Sequence, residues 1–395
     1  MSMPLHCDAV ASRVERALLE RNDVYEAFFA REAGRLAEAC REMSERFLKG
    51  GRLLAFGRGS YVTDAQHVSV EFVHPVIVGK RALPALDVSV DYRAWLEVGL
   101  SADDIAMGFG PPEGDPDVEA ALEAAGRRGA MTFALPGVSG SYAIGADAAD
   151  PFVHQELIEI LYHTLWESVH VFLEHKVLGH DAGEASFLYP FLGDEKQDVT
   201  RCVADVAGSI GMKVADDTRL RAEAAREDAE RIGLAALAIH ARLARGGKLI
   251  LFGNGGSATD ANDWMLDSIR PPAGYRPVPA VSLSLEPANV TAIANDVGVD
   301  VTFLRQLIAH ARPADVAIGF STSGGSRNVI VALEEARRRG LLTVGLLGCD
   351  GGEIARRHLV DHPLIVRSHY IPRIQEIHAS MYHIIRDTLE SVGRA

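Results

Sequence analysis

Gly246-Gly247-Lys248-Leu249-Ile250-Leu251-Phe252-Gly253-Asn254-Gly255-Gly256-Ser257 sets four apolar residues between two glycine turns, and a helical pattern follows. A short apolar run bounded in this way and leading into a helix is the strand-turn-helix step of a parallel sheet. The same step stands 196 residues earlier, as Gly50-Gly51-Arg52-Leu53-Leu54-Ala55-Phe56-Gly57. Further on, Asp104-Ile105-Ala106-Met107-Gly108-Phe109 parallels Asp315-Val316-Ala317-Ile318-Gly319-Phe320. Gln155-Glu156 with Tyr162-His163 parallels Gln375-Glu376 with Tyr382-His383. Self-similarity over so many elements reads as a tandem duplication. The offset grows downstream, which places extra residues of the second copy in two loops.

Each copy opens on a long helical pattern, about 24–48 and 218–244, and then alternates apolar runs with helical stretches. The pattern predicts βαβ units, hence α/β domains with a parallel sheet. The stretch 176–194, rich in Gly, Pro and aromatics, reads as a linker; residues 195–213 look helical and are expected to cross from one half to the other. Domain bounds of 1–194 and 195–395 follow.

Composition bounds the function. A length of 395 residues allows two to three domains at about 100–200 residues each. Lys plus Arg is 40 against 54 for Asp plus Glu, a net charge of −14, and no basic block offsets it, which argues against nucleic-acid binding. Apolar runs fall short of a membrane span, and the first ten residues carry no signal-peptide pattern. Cys7, Cys40, Cys202 and Cys349 lack Cys-x-x-Cys spacing, so a reducing cytoplasm is the expected location.

Two loops carry the chemistry. Gly253-Asn254-Gly255-Gly256-Ser257 turns backbone amides toward a helix N-terminus, an anion-binding geometry. Ser321-Thr322-Ser323-Gly324-Gly325-Ser326-Arg327-Asn328 stands likewise after a strand and before a helix, with several hydroxyls to surround a phosphate. Taken singly, either loop reads equally as a tight turn with a serine N-cap; the pair is more specific.

These loops, with Thr291-Ala292-Ile293-Ala294-Asn295-Asp296 and the Gln-Glu-x-His helix near the end, resemble the SIS (sugar isomerase) family, and phosphoheptose isomerase most closely. The resemblance runs over about 218–390 nearly in register and over about 24–175 more loosely. It implies two tandem SIS domains, each a five-stranded parallel sheet flanked by helices in a flavodoxin-like three-layer sandwich. It implies a phosphorylated sugar as ligand, sites shared between subunits, and a homodimer that rebuilds the four-domain assembly of single-domain relatives. Substrate contacts are expected from Asn254, Gly255, Gly256, Ser257, Ser321, Thr322, Ser323, Ser326 and Gln375, and from Asn295 and Asp296, which otherwise read as a turn.

The resemblance also implies base, acid and, in some members, zinc-ligand positions. The first copy has the whole set, His67, Glu71, Gln155 and His163, after Asp64-Ala65-Gln66; the second has Asp263 and Asp267 in place of His67 and Glu71, and keeps Gln375 and His383. The phosphate loops show the opposite pattern. Gly57-Arg58-Gly59-Ser60-Tyr61 and Gly110-Pro111-Pro112-Glu113-Gly114-Asp115 lose hydroxyls and two amide donors and gain acids. A composite site, with phosphate held by one half and acid–base work done by the other, is the expectation.

The residues support that reading on their own. His67 and Glu71 are four apart, Gln155 and His163 eight apart, each pair on one helix face. Two imidazoles, a carboxylate and an amide oxygen suit zinc or a similar divalent ion; no organic cofactor is expected. Glu71 as base and His163 as acid fit aldose–ketose interconversion, and Asp267 with His383 forms a second candidate pair. The expected activity is isomerisation of sedoheptulose 7-phosphate to D-glycero-D-manno-heptose 7-phosphate; a pentose or hexose phosphate shares the chemistry. The competing reading is a non-catalytic module that binds phosphosugar or protein, with the histidines as ordinary core residues.

Overall fold

The computed structural model describes residues 3–76, 80–137, 140–145, 147–177 and 199–393. The linker reading of 176–194 lies, from 178 on, outside them. The described chain forms two compact units, one of Asp23–Thr218, the other of Met1–Asn22 with Arg219–Ala395. Two long helices, α1 (Met3–Leu48) and α6 (Val199–Leu243), each run through both.

Apolar spacing explains the division. Val10, Val14 and Leu18, four apart along α1, are buried in the second core, whereas Tyr25, Phe28, Leu36, Met43 and Phe47 are buried in the first. In α6, Cys202, Val206, Ile210 and Val214 belong to the first core, and Leu220, Ala225, Ile232 and Ile239 to the second. Residues 195–198 of the expected crossing segment lie outside the described residues; 199–218 of α6 belong to the first unit rather than to the second half of the sequence, and α6 enters the other unit from Arg219 on.

The first unit's sheet is β1 (Leu53–Gly57), β2 (Ala85–Asp87), β3 (Ile105–Phe109), β4 (Met131–Leu135) and β5 (Tyr142–Ala143), in the order β2-β1-β3-β4-β5 with every pairing parallel. Around it run α2 (Val62–Val73), α3 (Tyr92–Gly99), α4 (Pro116–Arg127) and α5 (Pro151–Val177). The second unit repeats the plan: β6 (Leu249–Phe252), β7 (Ala280–Ser282), β8 (Val316–Ser321), β9 (Leu342–Gly348) and β10 (His362–Val366), all parallel, in the order β10-β9-β8-β6-β7. Its helices are α7 (Gly256–Ile269), α8 (Pro287–Asp296), α9 (Thr302–His310), α10 (Arg327–Arg338), α11 (Gly352–Arg356) and α12 (Ile371–Val392). The central strands β1, β3, β4, β6, β8 and β9 are buried along their whole length, as sheets covered on both faces require.

The same buried carboxylate fastens each unit. Asp104 accepts from the backbone N–H groups of Arg52 and Ser101 at 2.8 and 2.7 Å, and Asp315 from those of Lys248 and Arg312 at 3.0 and 2.8 Å. Of the extra residues in the second copy, those ahead of α9 form helix α8 and not a loop, because Pro287 presets its first turn.

This strand order reverses direction at β1/β3 and at β6/β8. Loops at the carboxyl ends of such neighbouring strands diverge to opposite faces and leave a crevice, the usual ligand position in an open α/β sheet. Both candidate phosphate loops of the second unit stand there, after β6 and β8.

Candidate functional site

In the second unit, β6 delivers Asn254 and then Gly255, whose φ of 57° turns the chain directly into α7. Ser257 is buried in the first turn of that helix. After β8, Ser321 and Ser326 share a hydroxyl–hydroxyl bond of 3.0 Å, and Ser323 Oγ accepts from Gly325 N–H at 3.2 Å. The two loops are tied side chain to side chain: Asn254 Nδ2 donates to Asn328 at 3.0 Å and Asn328 Nδ2 returns a bond of 2.8 Å. Ser326 occupies the N-cap of α10 without a side-chain capping bond. Two helix N-termini, linked by neutral amides and bordered by hydroxyls, thus face the switch point, where a phosphate is favoured. Thr322 is half-buried and Ser323 exposed in this loop.

The corresponding loops of the first unit are closed by charge. Arg58, at the position of Asn254, reaches Asp115 at 3.0 and 3.1 Å and Asp117 at 2.6 Å. Asp115 caps α4, accepting from the N–H groups of Asp117 at 2.9 Å and Val118 at 3.3 Å.

The catalytic candidates meet between packed helices of each unit, α2 with α5 and α7 with α12. His67 on α2 and His163 on α5 bring their Nε2 atoms to 3.4 Å, with Glu71 Oε1 3.7 Å from His67 Nε2, all three side chains buried. Gln155 is also buried; its amide nitrogen donates to Asp64 at 3.2 Å. Glu71 Oε2 has no hydrogen-bond partner among the described residues. Burial, then the nearby charge of Glu167, pushes the Glu71 carboxyl up to about 8. A buried carboxylate with an orphaned oxygen beside two imidazole nitrogens suits a divalent cation. Zinc ligands at about 2.0–2.1 Å in a tetrahedron are about 3.3–3.4 Å apart, which the two histidine nitrogens match.

In the second unit, His383 Nε2 on α12 lies 3.4 Å from Asp263 Oδ2 and 3.3 Å from Asp267 Oδ2 on α7, again buried. Tyr382 Oη donates to Asp263 at 2.7 Å. Gln375 is buried two turns before His383 on the same helix. Asn295 and Asp296 are not drawn in with these groups: they end the exposed helix α8, where Asn295 donates to Asp296 at 2.8 Å.

Two residues here escaped the sequence reading. Glu167 stands four after His163, so its spacing on α5 was available. Its partner Lys213, at 2.5 Å, comes from the crossing segment of α6 and carries no local signal. Both are buried. Lys213→Met strands a buried carboxylate and should destabilise the chain by about 3–5 kcal/mol, read as a lower midpoint in urea; the exposed Arg226→Met should change it by less than about 0.5 kcal/mol.

Similarity to known proteins agrees with this geometry. A family model described as SIS domain matches residues 214–348. A phosphoheptose isomerase of Geobacter sp. (strain M21) is 48% identical over 146 residues, 37% of this chain and 75% of that protein. The phosphoheptose isomerase of Geobacter sulfurreducens is 48% identical over 166 residues, 42% of this chain and 87% of the relative. Across 95% of the chain the fold is similar to the C-terminal domain of glucosamine-fructose-6-phosphate aminotransferase from Francisella tularensis, with a TM-score of 0.61 at 8% identity and 96% of that chain covered. With open anion loops at the switch point and this likeness to relatives matched over most of their length, the chain belongs to the phosphoheptose isomerase family of SIS-domain proteins.

Proposed function

We propose that the protein isomerises sedoheptulose 7-phosphate to D-glycero-D-manno-heptose 7-phosphate. The observation that carries this reading is the buried Glu71–His67–His163 cluster, whose uncompensated carboxylate oxygen is costly to keep in a core that has no use for it. The loops 253–257 and 321–328 are the phosphate site of the second unit, and Glu71 with His163 is the acid–base pair of the first. Glu71 removes the C1 proton of the ketose, and the electron pair moves to form the C1–C2 double bond of an enediol as His163 protonates the carbonyl oxygen. Glu71 then returns the proton to C2 while the C1 hydroxyl loses its own, which gives the aldose with no net change in atoms or electrons. Zinc, when bound, would be held by His67, Glu71, His163 and the Gln155 oxygen, and would supply positive charge that keeps Glu71 ionised and polarises the carbonyl.

Chromatography of the sugar phosphates after incubation tests the activity: the aldose should accumulate with the unaltered protein. Ser321→Ala with Ser323→Ala should raise KM at least tenfold and change kcat little, because phosphate contacts lie away from the reacting carbons. Absence of aldose under conditions where the sugar phosphate binds would reject the isomerase reading.

Metal binding gives an independent check. After stripping with chelator, equilibrium dialysis should show zinc taken up by the unaltered chain and by Asp267→Asn. His67→Ala and His163→Ala should weaken that uptake by a hundredfold or more.

The rival reading, a phosphosugar-binding module without turnover, draws on Asp263 and Asp267 in place of the base and ligand of the first unit. It predicts that Glu71→Gln leaves every ligand response unchanged. We further propose that the chain assembles as a homodimer, which light scattering at micromolar concentration would contradict by giving the mass of one chain.

A further inference from the structure

We infer that the anion cradle of the first unit is filled by the protein's own Asp115 carboxylate, so that its loops are closed without ligand and each chain binds a single phosphosugar. The number bound rests on the reading of the second unit's loops as a phosphate site; the internal anion does not.

The two units offer an internal comparison. Helices α4 (Pro116–Arg127) and α10 (Arg327–Arg338) are each twelve residues long and start at equivalent points after β3 and β8. In α10 the N-cap Ser326 makes no side-chain capping bond, and the side-chain acceptor in the first turn is the neutral Asn328 Oδ1, which takes the N–H of Val329 at 3.0 Å. In α4 the N-cap is Asp115, and one carboxylate oxygen takes two backbone N–H groups, those of Asp117 and Val118. A carboxylate at this point satisfies the same donors, and the same helix dipole, that a bound phosphate oxygen would.

The counter-charge is provided as well. Arg58 bonds both oxygens of Asp115 and one of Asp117, and Arg93 pairs with the other oxygen of Asp117. Position for position, Arg58 and Asp117 replace Asn254 and Asn328, whose amide pair ties the loops of the second unit. What is a neutral link around an open cradle in one unit is an ionic latch around an internal anion in the other. The substitutions are mutually consistent: acid at the cap, base on the facing loop, acid in the first turn.

Hydrogen exchange of the full chain, read by mass spectrometry on peptides covering 57–61 and 110–118, tests the latch. Without ligand these loops should exchange slowly. Asp115→Gly should speed exchange there at least tenfold, and millimolar formate, but not chloride, should slow it again by filling the vacated position. Asp115→Asn keeps a capping oxygen, and therefore the fold, but breaks the ionic link, so it should give a smaller acceleration of the same peptides. Fast exchange in the unaltered protein, or an acceleration that formate does not reverse, would overturn the internal anion. Calorimetric titration with sedoheptulose 7-phosphate should give one equivalent per chain, lost in Ser321→Ala with Ser323→Ala. Two equivalents, one surviving that variant, would overturn the inference. No binding at all would instead refute the phosphosugar reading of the second unit, while the exchange data continue to decide the latch.

Discussion

Glu71→Gln should lower turnover by a factor of about 10³ or more, leave sugar-phosphate affinity within threefold, and make the metal-free protein more stable at neutral pH. The loss follows from removing the only proposed base in its cluster. The gain follows from linkage. The Glu71 carboxyl is pushed up to about 8 in the fold, by burial and then by Glu167, from an ordinary value of 4.5. Between those two values the unfolded chain ionises this group and the native chain does not, so the native state loses stability as pH rises from 4.5 and the loss levels off above 8. Glutamine matches the shape and carries no such penalty. At pH 7 the variant should gain on the order of 2–4 kcal/mol, seen as a melting temperature higher by about 5–10 °C, and the difference should vanish below pH 4. A glutamate kept for packing predicts the opposite pair of results, with stability lost and activity unchanged.

Gly324→Ala should cost at least a hundredfold in sugar-phosphate affinity. At a φ of 61° any side chain is strained, and here a Cβ would also meet the carbonyl oxygen of Gly351 at 2.1 Å and the amide nitrogen of Gly352 at 2.7 Å. Neither neighbour is a flexible side chain that can turn away, so the loop from Ser321 to Ser326 must shift and its hydroxyls with it. Gly274→Ala separates strain from displacement. Its φ is 92° with nothing within 4 Å of the added carbon, so it should cost about 1 kcal/mol in stability and leave affinity unchanged. Calorimetric titration of both variants decides the matter; equal affinities would remove the 321–328 loop from the binding site.

Much of this was legible because it depends on local pattern. Runs such as Leu249–Phe252, short and set between glycine turns, read as strands buried on both faces, and the recurrence of Asp104-Ile105 and Asp315-Val316 marks the same buried carboxylate at the same strand start. The i,i+4 spacing of His67 and Glu71 put them on one face, and the facing helix did bring His163 to His67. The repeat also foretold the substitution of Asp263 and Asp267, which the structure gathers around His383. Less legible were features that depend on partners distant in the chain. In the sequence Arg58 reads as a lost asparagine, because its partners Asp115 and Asp117 stand more than fifty residues away, and nothing local to Lys213 shows that it neutralises Glu167. The helical segments 3–22 and 199–218 show ordinary apolar spacing, but nothing in that spacing says which of two similar cores will receive them. Asn295 and Asp296 read as a turn because their types favour one; the helix they end is set by Pro287 and the apolar residues before them.

The measurement that tests the central claim most directly is proton NMR of sedoheptulose 7-phosphate with the purified, zinc-loaded chain in deuterated buffer. Deuterium should enter at C1, beside the carbonyl carbon, in the unaltered protein and fail to enter with Glu71→Gln at matched ligand occupancy. Exchange that persists in Glu71→Gln and disappears in Asp267→Asn would contradict this account and assign the base to the second unit; no exchange in any form, with the sugar phosphate bound, would contradict isomerisation itself.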